Sequence, residues 1–278
     1  MLEHFFSPKA VAVVGASREE GKVGHDLLKN LVNHGYKGTI YPINPKVDNL
    51  LGIKAYASLN EVPDKIDLAV IVVPAAHVEK VVDECIIKGI DSIIVIGAGF
   101  KESGIEGAAR ERELYNKIKQ HSIRMLGPNC LGLIDTQSSL NASFAADMPA
   151  QGNIAFFSQS GALCTAILDW AASECIGFSK FISMGNKTDI DEVDLIKVMN
   201  DDPHTKVVLG YLEGVKNGIS FINATQKLTK KKPMIVVKSG GTMAGAKAAS
   251  SHTGTLAGAE NAFDAAFKQS GILRAKTI

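Results

Sequence analysis

Short apolar runs alternate with amphipathic segments along the first half of the chain. Five continuous runs are predicted as strands: residues 10–15, 39–43, 67–73, 92–96 and 122–126. Three segments have the apolar spacing of helices: residues 24–34, 75–88 and 104–120. Continuous apolar runs are typical of strands that are buried on both faces, so this alternation favours a parallel sheet with helices on both sides.

The second half of the chain repeats this alternation. Four more strands are predicted at residues 153–157, 178–183, 206–212 and 232–238. Helices are predicted at residues 162–172, 191–199, 219–230 and 258–269. The intervening residues 133–151 are small, polar and non-periodic, and we interpret them as a connection between domains. The pattern therefore predicts two α/β domains, residues 1–127 and 128–278, the second of flavodoxin-like size.

Composition and charge limit the classes of function. A chain of 278 residues is long enough for about two domains, and its net charge of +1 gives no general attraction to nucleic acid or membranes. We expect neither as a partner, so any anion site has to be a local feature. There is no signal-peptide pattern and no apolar run long enough to span a bilayer, which favours a cytoplasmic protein. The cysteines lack zinc spacing and are expected to be small buried residues in a reducing compartment: Cys85, Cys130, Cys164 and Cys175.

Candidate ligand-binding residues follow the predicted strands of the first domain, because ligands of parallel sheets bind at the carboxyl ends of the strands. They are the glycine turn (Gly15, Ala16 and Ser17), Val73 with Pro74, and the Gly97 loop (Gly97, Ala98 and Gly99). The glycine turn fits neither the G-x-G-x-x-G nor the Walker A pattern, since Arg18 follows it and Val23 stands where Walker A requires Ser or Thr. It still leaves free amides at the start of a helix, which suits a phosphate.

The end of the second strand distinguishes between nucleotide cofactors. NAD sites place an acid there to hold the ribose hydroxyls, whereas this strand ends in Asn44, Pro45 and Lys46. A lysine attracts a phosphorylated ribose, and coenzyme A carries a 3′-phosphate on its ribose. The pattern therefore favours a CoA site with Lys22 and Lys46 on its phosphates. NADP passes the same test, and two ordinary surface lysines are the remaining alternative.

Residues that follow the strands of the second domain form a candidate phosphoryl site. The serine turn consists of Ser158, Gln159, Ser160 and Gly161. It joins a strand to a helix, where backbone amides bind anions, and the missing first glycine of G-x-S-x-G argues against a serine hydrolase. Glu213 follows a later strand, and His252 stands alone in a run of small residues at 239–258. We interpret His252 as a covalent phosphate carrier; a solvated loop with an incidental histidine is the alternative.

Four motifs together resemble the NDP-forming acyl-CoA synthetases, the superfamily of the succinyl-CoA synthetase alpha subunit. They are Gly-Pro-Asn-Cys at 127–130, Phe-Ser-Gln-Ser-Gly at 157–161, Tyr-Leu-Glu-Gly at 211–214 and Ser-His-Thr-Gly at 251–254. The first domain is more similar to the ADP-forming acetyl-CoA synthetases, at residues 15–17, 22–24, 42–46 and 97–102. The resemblance implies a Rossmann-like CoA-binding domain followed by a flavodoxin-like domain.

The resemblance also implies a reaction and a role for each residue. In the family, phosphate attacks an acyl-CoA, and the phosphoryl group of the resulting acyl phosphate passes to a histidine and then to ADP. That histidine corresponds to His252, with Glu213 as its carboxylate partner and the serine turn as the phosphate cradle. CoA would lie across the glycine turn, Lys46, Val73 with Pro74, and the Gly97 loop. A carboxylate that fixes the tautomer of a nucleophilic imidazole is chemically consistent with these roles.

This sequence departs from the family pattern in two respects. Gln159 and Thr165 stand where succinyl-CoA synthetases carry an arginine and a tyrosine, so we expect a small monocarboxylic acid such as acetate as the substrate. Nothing resembles an ATP-grasp domain, although close relatives continue past residue 278. ADP or ATP with Mg²⁺ is therefore expected through a partner ATP-grasp (beta) subunit or domain, in a hetero-oligomer or a longer polypeptide. A non-catalytic CoA-binding regulatory module and an NADP-dependent dehydrogenase are the alternatives.

Overall fold

The computed structural model describes residues 2–240 and 260–276. The first part of the chain contains α1 (Glu3–Phe6), β1 (Ala10–Val14), α2 (Val23–Asn33), β2 (Thr39–Ile43), β3 (Asn49–Leu50), β4 (Ile53–Lys54), β5 (Leu68–Ile71), α3 (Ala75–Lys88), β6 (Ser92–Val95), α4 (Ile105–Gln120) and β7 (Arg124–Leu126). Short 3₁₀ turns lie at Leu59–Glu61 and Lys101–Ser103. The predicted strands and helices of the first half are all present.

The second part contains β8 (Gly132–Asp135), β9 (Leu140–Ser143), β10 (Gln151–Ser158), α5 (Gly161–Ser173), β11 (Phe178–Ser183), α6 (Glu192–Asp201), β12 (Val207–Leu212), α7 (Gly218–Thr229), β13 (Met234–Lys238), α8 (Glu260–Ser270) and β14 (Leu273–Ala275). Local chemistry fixes several boundaries. Asp191 caps α6 by accepting from the Val193 amide at 2.9 Å, while Gly89 ends α3 at a φ of +72°.

The first sheet has five parallel strands in the order β2-β1-β5-β6-β7, and β1, β5 and β6 are buried along their whole length. Tyr56 extends this sheet beyond β2, because its amide donates to Pro42 at 3.0 Å and its carbonyl accepts from Asn44 at 2.9 Å. With this parallel bridge as a rudimentary third strand, the order is the Rossmann-like 3-2-1-4-5-6. The predicted Rossmann-like first domain is confirmed.

The second sheet has seven strands in the order β14-β13-β12-β10-β11-β8-β9. The five strands from β14 to β11 are parallel, in the flavodoxin-like order, and β8 and β9 are added antiparallel at the β11 edge. The predicted flavodoxin-like second domain is confirmed, with a mixed rather than a purely parallel sheet. The division after residue 127 stays a prediction; the first sheet ends with β7 and the second begins with β8.

The interpretation of residues 133–151 as a connection between domains is wrong, because β8 and β9 are strands of the second sheet. Both strands are buried, yet they carry polar side chains that hide the usual apolar pattern. Asn141 is fully buried and accepts from the Ser143 hydroxyl at 2.6 Å. Buried polar groups that are satisfied by one another leave no hydrophobic periodicity in the sequence.

A buried lysine ties β8 to the rest of the second domain. The Lys180 ammonium donates to Asp135 of β8 at 2.6 Å and lies 3.2 Å from Asp202, and it also faces the ring of Phe6 at 5.2 Å. Burial tends to raise the pKa of Asp202, but the hydrogen bond from Thr205 and the charge of Lys180 outweigh it and hold that pKa below 3.8. The cluster therefore links β8, β11, α6 and the N-terminal α1.

The two domains meet along α1, β7 and the segment that follows β11. Leu2, Phe5 and Phe6 are buried together with Leu126 of the first sheet and Ile182 of the second. Arg124 of β7 donates to Asp189 and Asp194, each at 2.8 Å. An interface with both apolar burial and buried hydrogen bonds fixes the relative position of the two sheets.

Three of the four cysteines are buried as expected, at positions 85, 130 and 164. The expectation is wrong for Cys175, which is exposed in the turn between α5 and β11 at a φ of +56°. A surface turn has no core to receive the side chain. Among residues 2–240 and 260–276, the helices are too short or too polar to cross a membrane.

We expect Lys180→Met to lower the free energy of unfolding by about 3–5 kcal/mol at pH 7, because it leaves two buried carboxylates without their cation. The stability that Asp202 contributes is present above its unfolded pKa and is lost as the pH falls through its lower folded pKa. The difference between wild type and variant should therefore shrink below about pH 4.

Urea unfolding at pH 7 and at pH 3.5 measures this difference. Lys206→Met is the matched control. Lys206 is exposed directly before β12, so its loss should change stability by less than about 0.5 kcal/mol. Equal stability of the two variants at pH 7 would contradict the assignment of β8 to the core.

Candidate functional site

The first sheet reverses its strand order beside β1, so the carboxyl ends of β1 and β5 form a crevice there. The glycine turn follows β1 and Val73 follows β5. Gly15 adopts a φ of +90°, and a Cβ on it would lie 3.1 Å from Val73 Cγ1. Its amide donates to Ile43 at the end of β2, at 3.0 Å. The glycine turn is thus held between the two neighbouring strands.

Helix α2 begins directly against the glycine turn. A Cβ on Gly24 would lie 2.1 Å from the Gly15 carbonyl oxygen, so only a glycine lets the helix come this close. Lys22 occupies the N-cap position, and its carbonyl accepts from the amides of His25 and Asp26 at 2.8 and 3.0 Å. The start of α2 therefore points at the crevice, with the geometry of an anion-binding turn.

The Gly97 loop closes the other side of the crevice. A Cβ on Gly97 would lie 3.0 Å from the Val73 carbonyl oxygen, and Gly99 adopts a φ of +107°. The Gly99 amide donates to the Glu102 carboxylate at 2.6 Å, and its carbonyl accepts from Arg110. Pro74 and Ala98 are exposed beside it. The structure thus brings together the predicted residues that follow β1, β5 and β6.

At the end of β2, the side-chain amide of Asn44 stands where NAD sites carry an acid, and it connects this strand end to the glycine turn. The Asn44 side chain donates to the Ala16 carbonyl at 2.7 Å and accepts from the Lys46 amide at 2.8 Å. Lys46 is exposed next to a cleft of about 450 Å³ that Asn44 and Tyr56 help to line. Lys22 is also exposed and pairs with Glu19 at 2.6 Å, a hydrogen bond that lowers the pKa of Glu19.

The second sheet has its own reversal of strand order, at β10. Ser158, the last residue of β10, pairs with Ser183 of β11 on one side and with Tyr211 of β12 on the other. The carboxyl ends of these strands therefore meet at one edge, as predicted. The serine turn and Glu213 both lie at this edge, in the second crevice of the chain.

Hydrogen bonds within the serine turn shape it as the start of a helix. Ser158 is fully buried, and its hydroxyl donates to the Ser160 carbonyl and accepts from the Ser160 amide, both at 3.0 Å. Ser160 caps α5, since its hydroxyl accepts from the Leu163 amide at 3.3 Å. The first amides of a helix have no partner inside it. Within the described part of the chain, those of Gly161 and Ala162 are the ones available for an anion.

The side chain of Gln159 joins the serine turn to the loop of Glu213. Its carbonyl oxygen accepts from the Glu213 amide at 2.5 Å and from the Gly214 amide at 3.2 Å. Burial raises the pKa of Tyr211, and the nearby charge of Glu213 raises it further. The loop of Glu213 therefore lies beside the serine turn at the second crevice. His252 lies outside the described residues, and its role stays a prediction.

A buried lysine, Lys187, lies beside this second crevice, and the sequence did not indicate it. Lys187 donates to the Gly214 carbonyl at 2.6 Å and to the buried Glu192 at 2.7 Å. Burial lowers the pKa of Lys216, and the charges of Lys101 and Lys187 add to this effect. Such lysines were missed because a lone Lys in a charged segment has no local pattern that distinguishes it from a surface residue.

Glu102, Glu111 and Asn186 form a polar cluster between the domains. The Asn186 side-chain amide donates to Glu102 at 2.6 Å and to Glu111 at 2.8 Å. The sequence alone places Asn186 at a strand end without a role, and it shows Glu111 as one more charged residue of α4. Their proximity depends on how the two domains pack, and no spacing along the chain could have indicated it.

Comparisons with known proteins agree with the two folds and their order. A family described as a CoA binding domain matches residues 9–136. A family described as a succinyl-CoA ligase like flavodoxin domain matches residues 151–278. The first match contains the glycine turn and the Gly97 loop, and the second contains the serine turn and Glu213.

Similar proteins come from archaea. The chain is 47% identical to acetate–CoA ligase [ADP-forming] I of Archaeoglobus fulgidus, with all of this chain and 40% of that protein covered. It is also 47% identical to acetate–CoA ligase [ADP-forming] I subunit alpha of Pyrococcus furiosus, with all of this chain and 61% of that subunit covered. A solved structure of the Ca. Korarchaeum cryptofilum dinucleotide forming acetyl-coenzyme A synthetase 1, in complex with phosphate and ADP, superposes with a TM-score of 0.97 at 45% identity. That match covers all of this chain and 60% of the other.

The chain thus spans between 40% and 61% of the length of these relatives, and it corresponds to their alpha subunit or alpha-like part. Its two folds and their order agree with the family descriptions. The chain belongs to the NDP-forming acyl-CoA synthetase superfamily.

Proposed function

We propose that this chain is the CoA-binding and phosphohistidine-carrying part of an ADP-forming acyl-CoA synthetase. The complete enzyme would interconvert acyl-CoA, ADP and phosphate with carboxylic acid, CoA and ATP. One observation carries the proposal: the serine turn and the loop of Glu213 meet at the second crevice, where the Gln159 side chain accepts from the backbone amides of Glu213 and Gly214. The names of the archaeal relatives, acetate–CoA ligases [ADP-forming], support it.

The residues of the first crevice fit coenzyme A. The amide of Asn44 takes the place in which an NAD site carries an acid, so no carboxylate at that position repels a phosphorylated ribose. The glycine turn, Val73 with Pro74, and the Gly97 loop would hold the rest of the molecule. Lys22 and Lys46 would contact its phosphates, with Lys22 first having to leave its exposed pair with Glu19.

In the direction of ATP formation, the first step is attack on the thioester. A phosphate oxygen attacks the acyl carbon, the C–S bond breaks, and the thiolate leaves and takes up a proton to become free CoA. The first-turn amides of α5 would hold the phosphate and balance its charge. Amides fixed at the start of a helix need no reorganisation as charge develops, which is how such groups accelerate transfer.

The next two steps move the phosphoryl group through His252. An imidazole nitrogen attacks phosphorus, the P–O bond to the acyl group breaks, and the acid leaves as a carboxylate. An oxygen of the terminal phosphate of ADP then attacks phosphorus, the P–N bond of the phosphohistidine breaks, and ATP and the free imidazole of His252 result. Glu213 would accept from the other imidazole nitrogen, keeping the attacking nitrogen unprotonated and stabilising the cationic ring.

The surroundings of the serine turn support a small monocarboxylic acid as substrate. Gln159 uses its carbonyl oxygen on the loop of Glu213, and the Thr165 hydroxyl donates to the Gly161 carbonyl at 3.4 Å within α5. Neither side chain is a cation. A second carboxylate on the substrate would find no charged partner at these two positions, whereas acetate needs none.

Nucleotide binding would be supplied by an ATP-grasp subunit or domain, with Mg²⁺ accompanying the nucleotide there. Support comes from the Pyrococcus furiosus relative, which is named a subunit alpha, and from the solved structure with phosphate and ADP. A hetero-oligomer or a fused polypeptide both satisfy this requirement. We place the enzyme in the cytoplasm, in keeping with four unpaired cysteines.

His252 should become phosphorylated by an acyl phosphate. Incubation with ³²P-labelled acetyl phosphate should give an acid-labile, base-stable label on the wild-type chain and none on His252→Ala, because transfer needs the imidazole nitrogen. Glu213→Gln should slow labelling by about 100-fold or more, since it removes a preorganised charge beside the nucleophile.

The control is His204→Ala, which removes an exposed histidine of the same domain and should leave labelling unchanged. Equal labelling of wild type and His252→Ala would sink the phosphohistidine assignment. CoA binding without any label on the wild type would instead favour the non-catalytic CoA-binding module.

Lys46 should recognise the 3′-phosphate of CoA. Lys46→Ala should weaken CoA binding by about tenfold, or about 1.4 kcal/mol, and leave dephospho-CoA binding unchanged, because only CoA carries that phosphate. Isothermal titration calorimetry with both ligands measures the two constants. Lys80→Ala, which removes an exposed lysine of α3, is the control and should affect neither.

An equal loss of affinity for both ligands would refute a 3′-phosphate contact. Thermal stabilisation by NADP without stabilisation by CoA would favour the dehydrogenase and overturn the CoA assignment itself.

A further inference from the structure

Asn186 belongs to the second domain, yet its side-chain amide nitrogen donates to two groups of the first, while its side-chain oxygen accepts from Asn129. It follows β11 in the chain and is 8% exposed. Its side-chain amide donates to Glu102 and Glu111, its backbone carbonyl accepts from the Lys101 ammonium at 2.5 Å, and its backbone amide donates to Pro128 at 2.8 Å. A buried polar residue with this many partners is held in one position.

Glu102 links Asn186 to the Gly97 loop. One of its carboxylate oxygens accepts from Asn186 at 2.6 Å, and the other accepts from the amides of Gly99 at 2.6 Å and Phe100 at 3.0 Å. Burial tends to raise the pKa of Glu102, but these hydrogen bonds outweigh it and the pKa lies below 4.5. Glu102 therefore stays ionised and joins the loop to Asn186.

Glu111 anchors the segment that follows the Gly97 loop, at Lys101. It is buried on α4, and it accepts from the Lys101 amide at 3.1 Å, from Asn186 at 2.8 Å and from the Thr188 hydroxyl at 2.5 Å. The two carboxylates thus share a donor from the second domain, because one primary amide with two N–H groups reaches both. An aspartate at position 186 would instead place a third carboxylate among them.

The next residue connects to the second crevice. Lys187 donates to the carbonyl of Gly214, the neighbour of Glu213, and to the fully buried Glu192. One short segment after β11 is therefore fastened to the Gly97 loop on one side and to the loop of Glu213 on the other.

We infer that Asn186 is a positioning residue through which the second domain holds the Gly97 loop in its ligand-binding conformation. Binding at the first crevice then depends on the domain interface as well as on the first domain. This inference rests on the proposed CoA site. Its mechanism is a fixed hydrogen-bond chain, from Asn186 through Glu102 to the Gly99 amide.

The test compares Asn186→Asp with its rescue, Asn186→Asp combined with Glu102→Gln. The single variant should weaken CoA binding at least about tenfold, because three carboxylates then repel each other beside the loop. In the double variant, the introduced glutamine can accept from the Gly99 and Phe100 amides and donate to the introduced aspartate, which restores the link to the Gly97 loop. The introduced aspartate still faces Glu111 without a donor, so we expect part of the lost affinity, not all of it, to return in calorimetric titrations.

Arg124→Gln is the matched control for general loosening of the interface. Arg124 also joins the domains, through Asp189 and Asp194, and within the described part of the chain its side-chain hydrogen bonds go to these two residues rather than to the Gly97 loop. The variant should lower the thermal midpoint while leaving the Kd for CoA within about twofold. If the role of Asn186 were merely structural, both variants would weaken CoA binding in proportion to their loss of stability.

Hydrogen–deuterium exchange of the peptide that contains Gly99 and Phe100 gives a second readout that needs no ligand. Asn186→Asp should speed exchange there at least about tenfold, with recovery in the double variant and no change in Arg124→Gln. If the wild type fails to bind CoA, the proposed function fails, and exchange still decides the positioning role. Unchanged exchange in Asn186→Asp, or CoA affinity equal to that of Arg124→Gln, would overturn the inference.

Discussion

The reversal of strand order beside the first parallel strand of each domain is the constraint on which the rest of the structure depends. Helices cover both faces of a parallel sheet, so the backbone is accessible to a ligand mainly where neighbouring connections leave in opposite directions. In this chain that happens twice, between β1 and β5 and between β10 and β12. The glycine turn and the serine turn are both strand-to-helix turns at these points. Each offers unpaired helix-start amides to an anion.

Two crevices on one chain suit a reaction with two separate anionic substrates. They can serve one reaction only if the position of one crevice relative to the other is fixed. Here the fixing elements are charged groups buried between the domains. Glu111 is largely inaccessible to water, and its carboxylate accepts from Asn186 and Thr188 of the second domain. Removing one donor would leave a buried charge uncompensated, so these contacts resist sliding more strongly than an apolar interface of equal size.

The fold was predictable from the sequence wherever burial is apolar. The continuous runs that became β1, β5 and β6 are apolar almost throughout, so their pattern is clear. Prediction failed at β8 and β9, where Asp135 and Asn141 are buried with polar partners, and at Cys175, where a turn exposes the side chain. Candidate site residues at strand ends could be found from the sequence, because the carboxyl ends of parallel strands meet at one edge of the sheet. Glu111, Asn186 and Lys187 could not, because their roles come from contacts between segments 75 residues apart, or from a buried lysine with no local signal.

The helix α1 has a consequence for the order in which the chain can fold. Phe6 and its neighbours are synthesised long before the surfaces that cover them, which include Ile182, Ile190 and Leu195. On a ribosome that adds residues one at a time, the first domain can form its sheet while this short helix still has no place to bind. The aromatic rings then stay exposed to solvent and to chaperones until a large part of the second domain has emerged. Packing of α1 between the two domains is therefore a late event, which brings Phe5 and Phe6 against residues of the second domain that follow them by more than 170 positions.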